Sequence, residues 1–162
     1  MKFNVDEIFE IAEQLERNGA EFYRRAAQIA PNDHARNLLN SLAAMEDEHE
    51  RTFAQLRMQV VKEDERRESF YEGDDTAAMY LQAFADTQVF SSAPFEDLKG
   101  TESMREILDK AIMREKEAIV LFEGMRGSMH QAEDRERVEL IIRQEFEHIT
   151  MLAEEMKRLP AG

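Results

Sequence analysis

Apolar residues recur along this chain at steps of three and four, which is the spacing of a helix with one buried face. The pattern predicts four long helices, over about residues 4–30, 33–61, 101–127 and 128–159. Asn4, Thr101 and Ser128 are the predicted N-caps of the first, third and fourth helices, because their side chains can accept a hydrogen bond from the first turn.

Residues 62–100 do not continue the helical pattern. They begin with a charged stretch, continue with a short amphipathic piece around residues 76–85, and end in a polar segment that contains proline. A connection of this length suits a crossover along a bundle, so that the second and third helices run parallel. We therefore predict one domain over residues 1–162, with hairpin 1 over about 4–61, the crossover over about 62–100 and hairpin 2 over about 101–159.

The two hairpins carry equivalent polar residues inside their apolar stripes. Each has a Glu followed thirty residues later by the pattern Glu-x-x-His: Glu16, Glu46 and His49 in hairpin 1, and Glu115, Glu145 and His148 in hairpin 2. Every pair of equivalent residues is separated by 99 positions, so the helical hairpin is used twice. The stripes predict that all six side chains face the core of an all-α bundle.

Four carboxylates in one core need compensation, since a buried and unpaired carboxylate costs several kcal/mol or more. Two divalent cations would balance their charge, and bundles of this kind do bind metal pairs with such ligands. Carboxylate and imidazole ligands favour iron or manganese, with zinc possible. Open coordination positions on a redox-active metal would favour chemistry with oxygen or peroxide. Buried polar residues with a purely structural role are the alternative.

The other polar residues near the stripes are expected at the surface. This group comprises His34, His130, Glu21, Glu48, Glu50, Glu117 and Glu147. Tyr23 is on the same face as the predicted ligands, and we expect it to pack in the core rather than to hydrogen-bond beside the metals.

Composition narrows the class of protein. The formal net charge of −14 disfavours nucleic acid or an anionic membrane as a partner. The chain has no cysteine, which excludes disulfides, thiolate metal sites and a thiol nucleophile within these residues. No apolar signal core and no run of membrane-spanning length is present, so we predict a cytoplasmic protein.

Four segments resemble the rubrerythrin branch of the ferritin-like superfamily: ERNGAEFY from Glu16, MEDEH from Met45, REKEA from Arg114 and QEFEH from Gln144. The resemblance implies a ferritin-like four-helix bundle with a di-iron site, in which Glu46 and Glu145 are bridging carboxylates. It also implies a homodimer, and an oxidoreductase that reduces hydrogen peroxide with two electrons.

The chain departs from that family in two respects. It has no cysteines for a rubredoxin centre, so a peroxidase would need a separate electron donor protein. Ala118 stands where rubrerythrins have an additional Glu, which leaves a six-ligand site closer to ferritin and bacterioferritin ferroxidase centres. Peroxide reduction and Fe(II) oxidation with oxygen are therefore the leading hypotheses, and enzymatic activity stays open. The alternatives are an iron storage protein, or a non-catalytic scaffold or sensor stabilised by metal.

Overall fold

The computed structural model of the protein describes residues 5–64, 75–88, 98–129 and 131–161. In these ranges the chain forms five α-helices and no strand: α1 (Val5–Gln28), α2 (Asp33–Asp64), α3 (Asp75–Gln88), α4 (Met104–Ser128) and α5 (Ala132–Arg158). None of these helices combines the length and the apolar character that crossing a membrane requires.

The helices pack as two hairpins. Helix α1 lies along α2 and α4 lies along α5, because the short connections at residues 29–32 and 129–131 force each helix back along its predecessor. The hairpins face each other through contacts of α1 with α4 and of α2 with α5. The predicted all-α bundle of two hairpins is confirmed, whereas the assignment of residues 1–162 to a single domain stays a prediction.

Two of the predicted helix caps are wrong. Ser103, not Thr101, is the N-cap of α4: its side chain accepts from the Glu106 amide, and the Glu106 carboxylate accepts from the Ser103 amide. Ser128 is the last residue of α4 and its Oγ donates to the Gly124 carbonyl at 2.9 Å, which satisfies the hydroxyl within its own helix. Helix α5 follows Gln131, whose side chain makes no capping hydrogen bond. The predicted cap Asn4 lies outside the described residues.

Two apolar clusters lie on either side of the level at which the polar stripe residues occur. The first contains Phe9, Phe53 and Phe122, and the ring centroids of Phe53 and Phe122 are 4.7 Å apart. The second contains Leu39 and Leu108 among its fully buried side chains. In each of the four long helices the polar residues separate these clusters, so apolar side chains close both ends of the predicted site.

Helix α3 occupies part of the predicted crossover and packs on α4 and α1. It is longer than the short piece expected around residues 76–85. Its Leu81 is fully buried, and Tyr80 lies directly over Gly124 of α4. A Cβ atom at position 124 would be 2.9 Å from the Tyr80 ring, so the close approach of α3 depends on this glycine.

Two glycines of α4 offer a matched test of this approach. A Cβ atom at Gly127 would meet only the Ala77 Cβ, at an ordinary 3.8 Å. We expect Gly127→Ala to raise the free energy of unfolding by up to about 1 kcal/mol through helix propensity. Gly124→Ala should not be stabilised in this way, because overpacking of the new methyl group against the Tyr80 ring costs about 1–3 kcal/mol. Chemical denaturation measures both, and equal stabilisation by the two variants would contradict the close packing of Tyr80 on α4.

Candidate metal centre

The four long helices bring all six predicted ligands together in the core. Each Glu-x-x-His pair occupies positions i and i+3 of one helix, so both side chains leave the same face. The exposed fractions of the six residues are 0–3%: Glu16 from α1, Glu46 and His49 from α2, Glu115 from α4, and Glu145 and His148 from α5. The bundle thus buries six ionisable groups from two distant parts of the chain.

The six residues form two clusters that share two carboxylates. One ligand atom from each of Glu16, Glu46, His49 and Glu145 lies within 4.8 Å of the others. A second set of four, in which Glu115 and His148 replace Glu16 and His49, meets the same limit. Glu46 and Glu145 belong to both sets, which is the arrangement that two neighbouring metal ions with bridging carboxylates need.

The shared carboxylates direct their two oxygens to different histidines. Glu145 has Oε1 at 2.8 Å from His49 Nδ1 and Oε2 at 3.0 Å from His148 Nδ1. Glu46 has Oε2 at 3.4 Å from His49 Nδ1 and Oε1 at 3.4 Å from His148 Nδ1. The two imidazole rings lie nearly parallel, with centroids 5.5 Å apart and 17° between their planes. Both rings therefore turn Nδ1 toward the same carboxylates.

Each remaining carboxylate serves one histidine. Glu16 Oε2 lies 3.5 Å from His49 Nδ1, and Glu115 Oε1 lies 3.4 Å from His148 Nδ1. The pseudo-twofold repeat seen in the sequence is therefore present in the geometry, with one terminal Glu and one His on each side.

The four carboxyl groups divide into two pairs with opposite pKa shifts. Burial raises the pKa of Glu16 and Glu115 well above the usual carboxyl range, and the charges of the shared carboxylates add to this effect. Burial also acts to raise the pKa of Glu46 and Glu145. Contacts with the imidazoles and the terminal carboxyl groups outweigh it and lower both values. The shared carboxylates are thus the ones that stay ionised.

The imidazoles complete this balance of charge. Burial acts to lower their pKa, but the surrounding carboxylates outweigh it and raise the pKa of His148 to about 11. The same groups, with Glu145 foremost, raise the pKa of His49 above its usual range. Two ionised carboxylates therefore face two imidazolium groups, and a metal ion must displace these protons in order to bind.

The donor atoms of the cluster fit divalent cations. Several are buried and have no hydrogen-bond partner among the described residues: Glu16 Oε1, both carboxylate oxygens of Glu145, and Nδ1 of His49 and of His148. The close nitrogen–oxygen pairs are not aligned for hydrogen bonding, and a buried polar group left unsatisfied costs about 1–3 kcal/mol. Metal ions at the centre would satisfy these atoms, and the mixed oxygen and nitrogen donors suit iron, manganese or zinc.

Two neighbours of the cluster were not anticipated as hydrogen-bonding partners. The buried Tyr23 hydroxyl donates a hydrogen bond to Glu115 Oε1, so the expectation of core packing alone is wrong. His49 Nε2 lies 2.7 Å from Gln144 Oε1, a contact that the stripe pattern does not predict. One signal for Tyr23 was available, since it follows Glu16 by seven residues on the same helix face.

The residues expected at the surface are exposed or half-buried where the structure describes them. Glu21, Glu48, Glu117 and Glu147 are exposed, and Glu50 is half-buried beside Arg17. His34 is exposed as expected, yet its Nε2 lies 3.0 Å from the buried Glu155 carboxylate at the end of the bundle. His130 lies outside the described residues.

Comparison with known proteins agrees with this geometry. The family model described as Rubrerythrin matches residues 1–57, which cover α1 and most of α2. The fold is similar to a crystal structure described as a ferritin-like diiron-carboxylate protein from Thermotoga maritima. That match has a TM-score of 0.70 and 25% sequence identity, and it covers 96% of this chain and 95% of the other. The comparison with curated proteins gives no match. On this evidence the chain has a ferritin-like fold and is similar to rubrerythrin over residues 1–57.

Proposed function

We propose that this protein binds two iron ions between its hairpins and uses them as an oxidoreductase that reduces hydrogen peroxide or oxygen. The observation that carries the proposal is the placement of Glu46 and Glu145. Each offers one oxygen to the His49 side and the other to the His148 side of a buried cluster. This arrangement supports two ions held side by side rather than one.

The ligand assignment follows from the two clusters. Glu16 and His49 would hold one ion, Glu115 and His148 the other, and the two shared carboxylates would contact both. When bound, a pair of Fe(II) ions can supply the two electrons that convert hydrogen peroxide and two protons into two water molecules. The donor that restores these electrons would be a molecule outside these 162 residues.

The chain's own residues would control where this reaction occurs. The apolar clusters around Phe53 and Leu39 exclude water from both sides of the centre. The Tyr23 hydroxyl holds Glu115 in place. Once the imidazoles lose their protons, the two shared carboxylates would leave a negative charge at mid-bundle, which favours cations over neutral molecules in the centre.

A second candidate is Fe(II) oxidation for iron storage, and one position favours it. Ala118 is buried where rubrerythrins are expected to have a further Glu, and its equivalent in hairpin 1 is Gly19. A Cβ atom at Gly19 would lie 3.6 Å from Glu46 side-chain atoms, so both small residues adjoin the level of the ligands. The centre therefore has six ligands rather than seven, which supports a ferroxidase-like site.

We also propose that the protein is a homodimer, as the resemblance implies.

Metal content tests the centre directly. We expect protein loaded anaerobically with Fe(II) to retain about two ions per chain after desalting, as bundles of this kind do. Glu46→Ala should lose most of this iron, because it removes a ligand common to both ions. Glu48→Ala is the matched control, since this exposed residue lies on the same helix. Elemental analysis measures the result. Iron retained equally in all three proteins, or zinc alone in protein purified from cells, would contradict the proposal.

The choice of oxidant separates the two candidates. We expect the iron-loaded protein to be oxidised faster by hydrogen peroxide than by oxygen if it is a peroxidase, as measured by stopped-flow absorption. Faster oxidation by oxygen, with many iron atoms retained in a large assembly by light scattering, would support storage instead. No oxidation by either reagent would rule out both candidates and leave a metal-stabilised scaffold or sensor.

A further inference from the structure

The two halves of the metal centre are equivalent in their ligands but not in the residues beside them. The offset of 99 that relates the six ligands also pairs Gln144 with Met45, and each of these directly precedes the Glu of a Glu-x-x-His pair. One hairpin therefore places a polar amide where the other places an apolar thioether. The two imidazoles differ in a corresponding way.

Gln144 holds the outer nitrogen of His49. The His49 ring turns Nδ1 toward three carboxylates, and its Nε2 donates to Gln144 Oε1 at 2.7 Å. A proton kept on Nε2 leaves the Nδ1 lone pair for a metal ion and fixes the orientation of the ring. The hydrogen bond also reaches across the bundle, because His49 is on α2 and Gln144 on α5.

His148 has no such support from the part of the chain that the structure describes. Its Nδ1 faces three carboxylates as that of His49 does, at 3.0–3.4 Å. Its Nε2 is buried and has no hydrogen-bond partner among the residues that the structure describes. The residue equivalent to Gln144 is Met45, whose sulfur is only a weak acceptor. No outer hydrogen bond from the described residues fixes the tautomer or the tilt of this ring.

We propose that this difference makes the two metal positions unequal. The position of Glu16 and His49 binds its ion first and tightly, whereas the position of Glu115 and His148 binds its ion more weakly and exchanges it. The inference rests on the proposed function as a di-metal protein. Loss of an outer hydrogen bond to a ligand typically lowers metal affinity about 10–100-fold, which is the expected ratio between the two positions.

The Tyr23 hydroxyl acts on the other half of the centre. It donates to Glu115, and its equivalent in hairpin 2 is Phe122, which has no hydroxyl. This contact orients a carboxylate and does not involve the His148 imidazole. Tyr23→Phe should weaken only the second step, so that the order of filling stays the same and the separation widens. This outcome contrasts with those expected at positions 144 and 45.

Titration of the full-length apoprotein with Co(II), followed by visible absorption against a competing chelator, measures the two affinities. Wild type should bind two ions in steps that differ about 10–100-fold. His148→Ala should keep only the tight step and His49→Ala only the weak step, which assigns each step to its position. An assignment in the opposite order would overturn the inference.

Exchanging the two outer residues tests the cause. Gln144→Met should weaken the first step about 10–100-fold, so that the two steps merge. Gln144→Glu keeps an acceptor for His49 and should preserve the separation. Met45→Gln introduces an amide at the position equivalent to Gln144, where it could accept from His148 Nε2. This substitution should strengthen the weak step. Positions 45 and 144 are both exposed, so these substitutions leave the core unchanged, and thermal unfolding of each apoprotein checks this.

The outcomes distinguish this inference from the proposed function. Two equal steps in wild type, or steps that Gln144→Met leaves unchanged, would overturn the inequality while the di-metal centre stands. If Gln144→Met does not fold, an unchanged weak step in Met45→Gln would overturn it as well. No Co(II) binding by wild type would instead contradict the di-metal proposal itself.

Discussion

The gathering of four carboxylates and two imidazoles in one core is the constraint on which the rest of this structure depends. Each group alone would be costly to bury, and the pKa shifts show how the cluster compensates: the pKa of two carboxyl groups is raised, and the two carboxylates with a lowered pKa face imidazoles whose pKa is raised. This balance requires all six groups at one level of the bundle. The contacts between the two hairpins bring the six groups to the same level, because they place α1 against α4 and α2 against α5.

The stability that offsets the polar centre must come from the apolar clusters on either side of it. Surface ion pairs such as Arg17–Glu50 join α1 to α2, but exposed pairs of this kind contribute at most about 1 kcal/mol each. Fully buried side chains such as Phe53 and Leu39 contribute about 1.5–3 kcal/mol each by burial. The same side chains keep water from the centre, so the packing that stabilises the fold also sets the low polarity in which the six groups interact.

The parts of this arrangement that the sequence predicts are those that depend on helical period alone. The four stripes and the six polar residues within them follow from spacing, and the repeat of the hairpin doubles the signal. The cap at Ser103 was missed because Thr101 and Ser103 both offer a hydroxyl, and only the Glu106 side chain distinguishes them. Tyr23 and Gln144 were missed as hydrogen-bonding partners for a different reason. Their partners are 92 and 95 residues away along the chain, on helices whose rotation no local pattern specifies.

A repeat of this kind constrains the ligands more than their neighbours. Both metal positions draw on the same two shared carboxylates, so a change at Glu46 or Glu145 alters both at once. Two residues outside the ligands contact one side only: Gln144 touches His49 and Tyr23 touches Glu115. Differences between the two halves can therefore accumulate in this outer layer without loss of the centre itself. The chemistry that separates one ferritin-like protein from another would then depend on such neighbours, including the small residues at positions 19 and 118, more than on the six ligands.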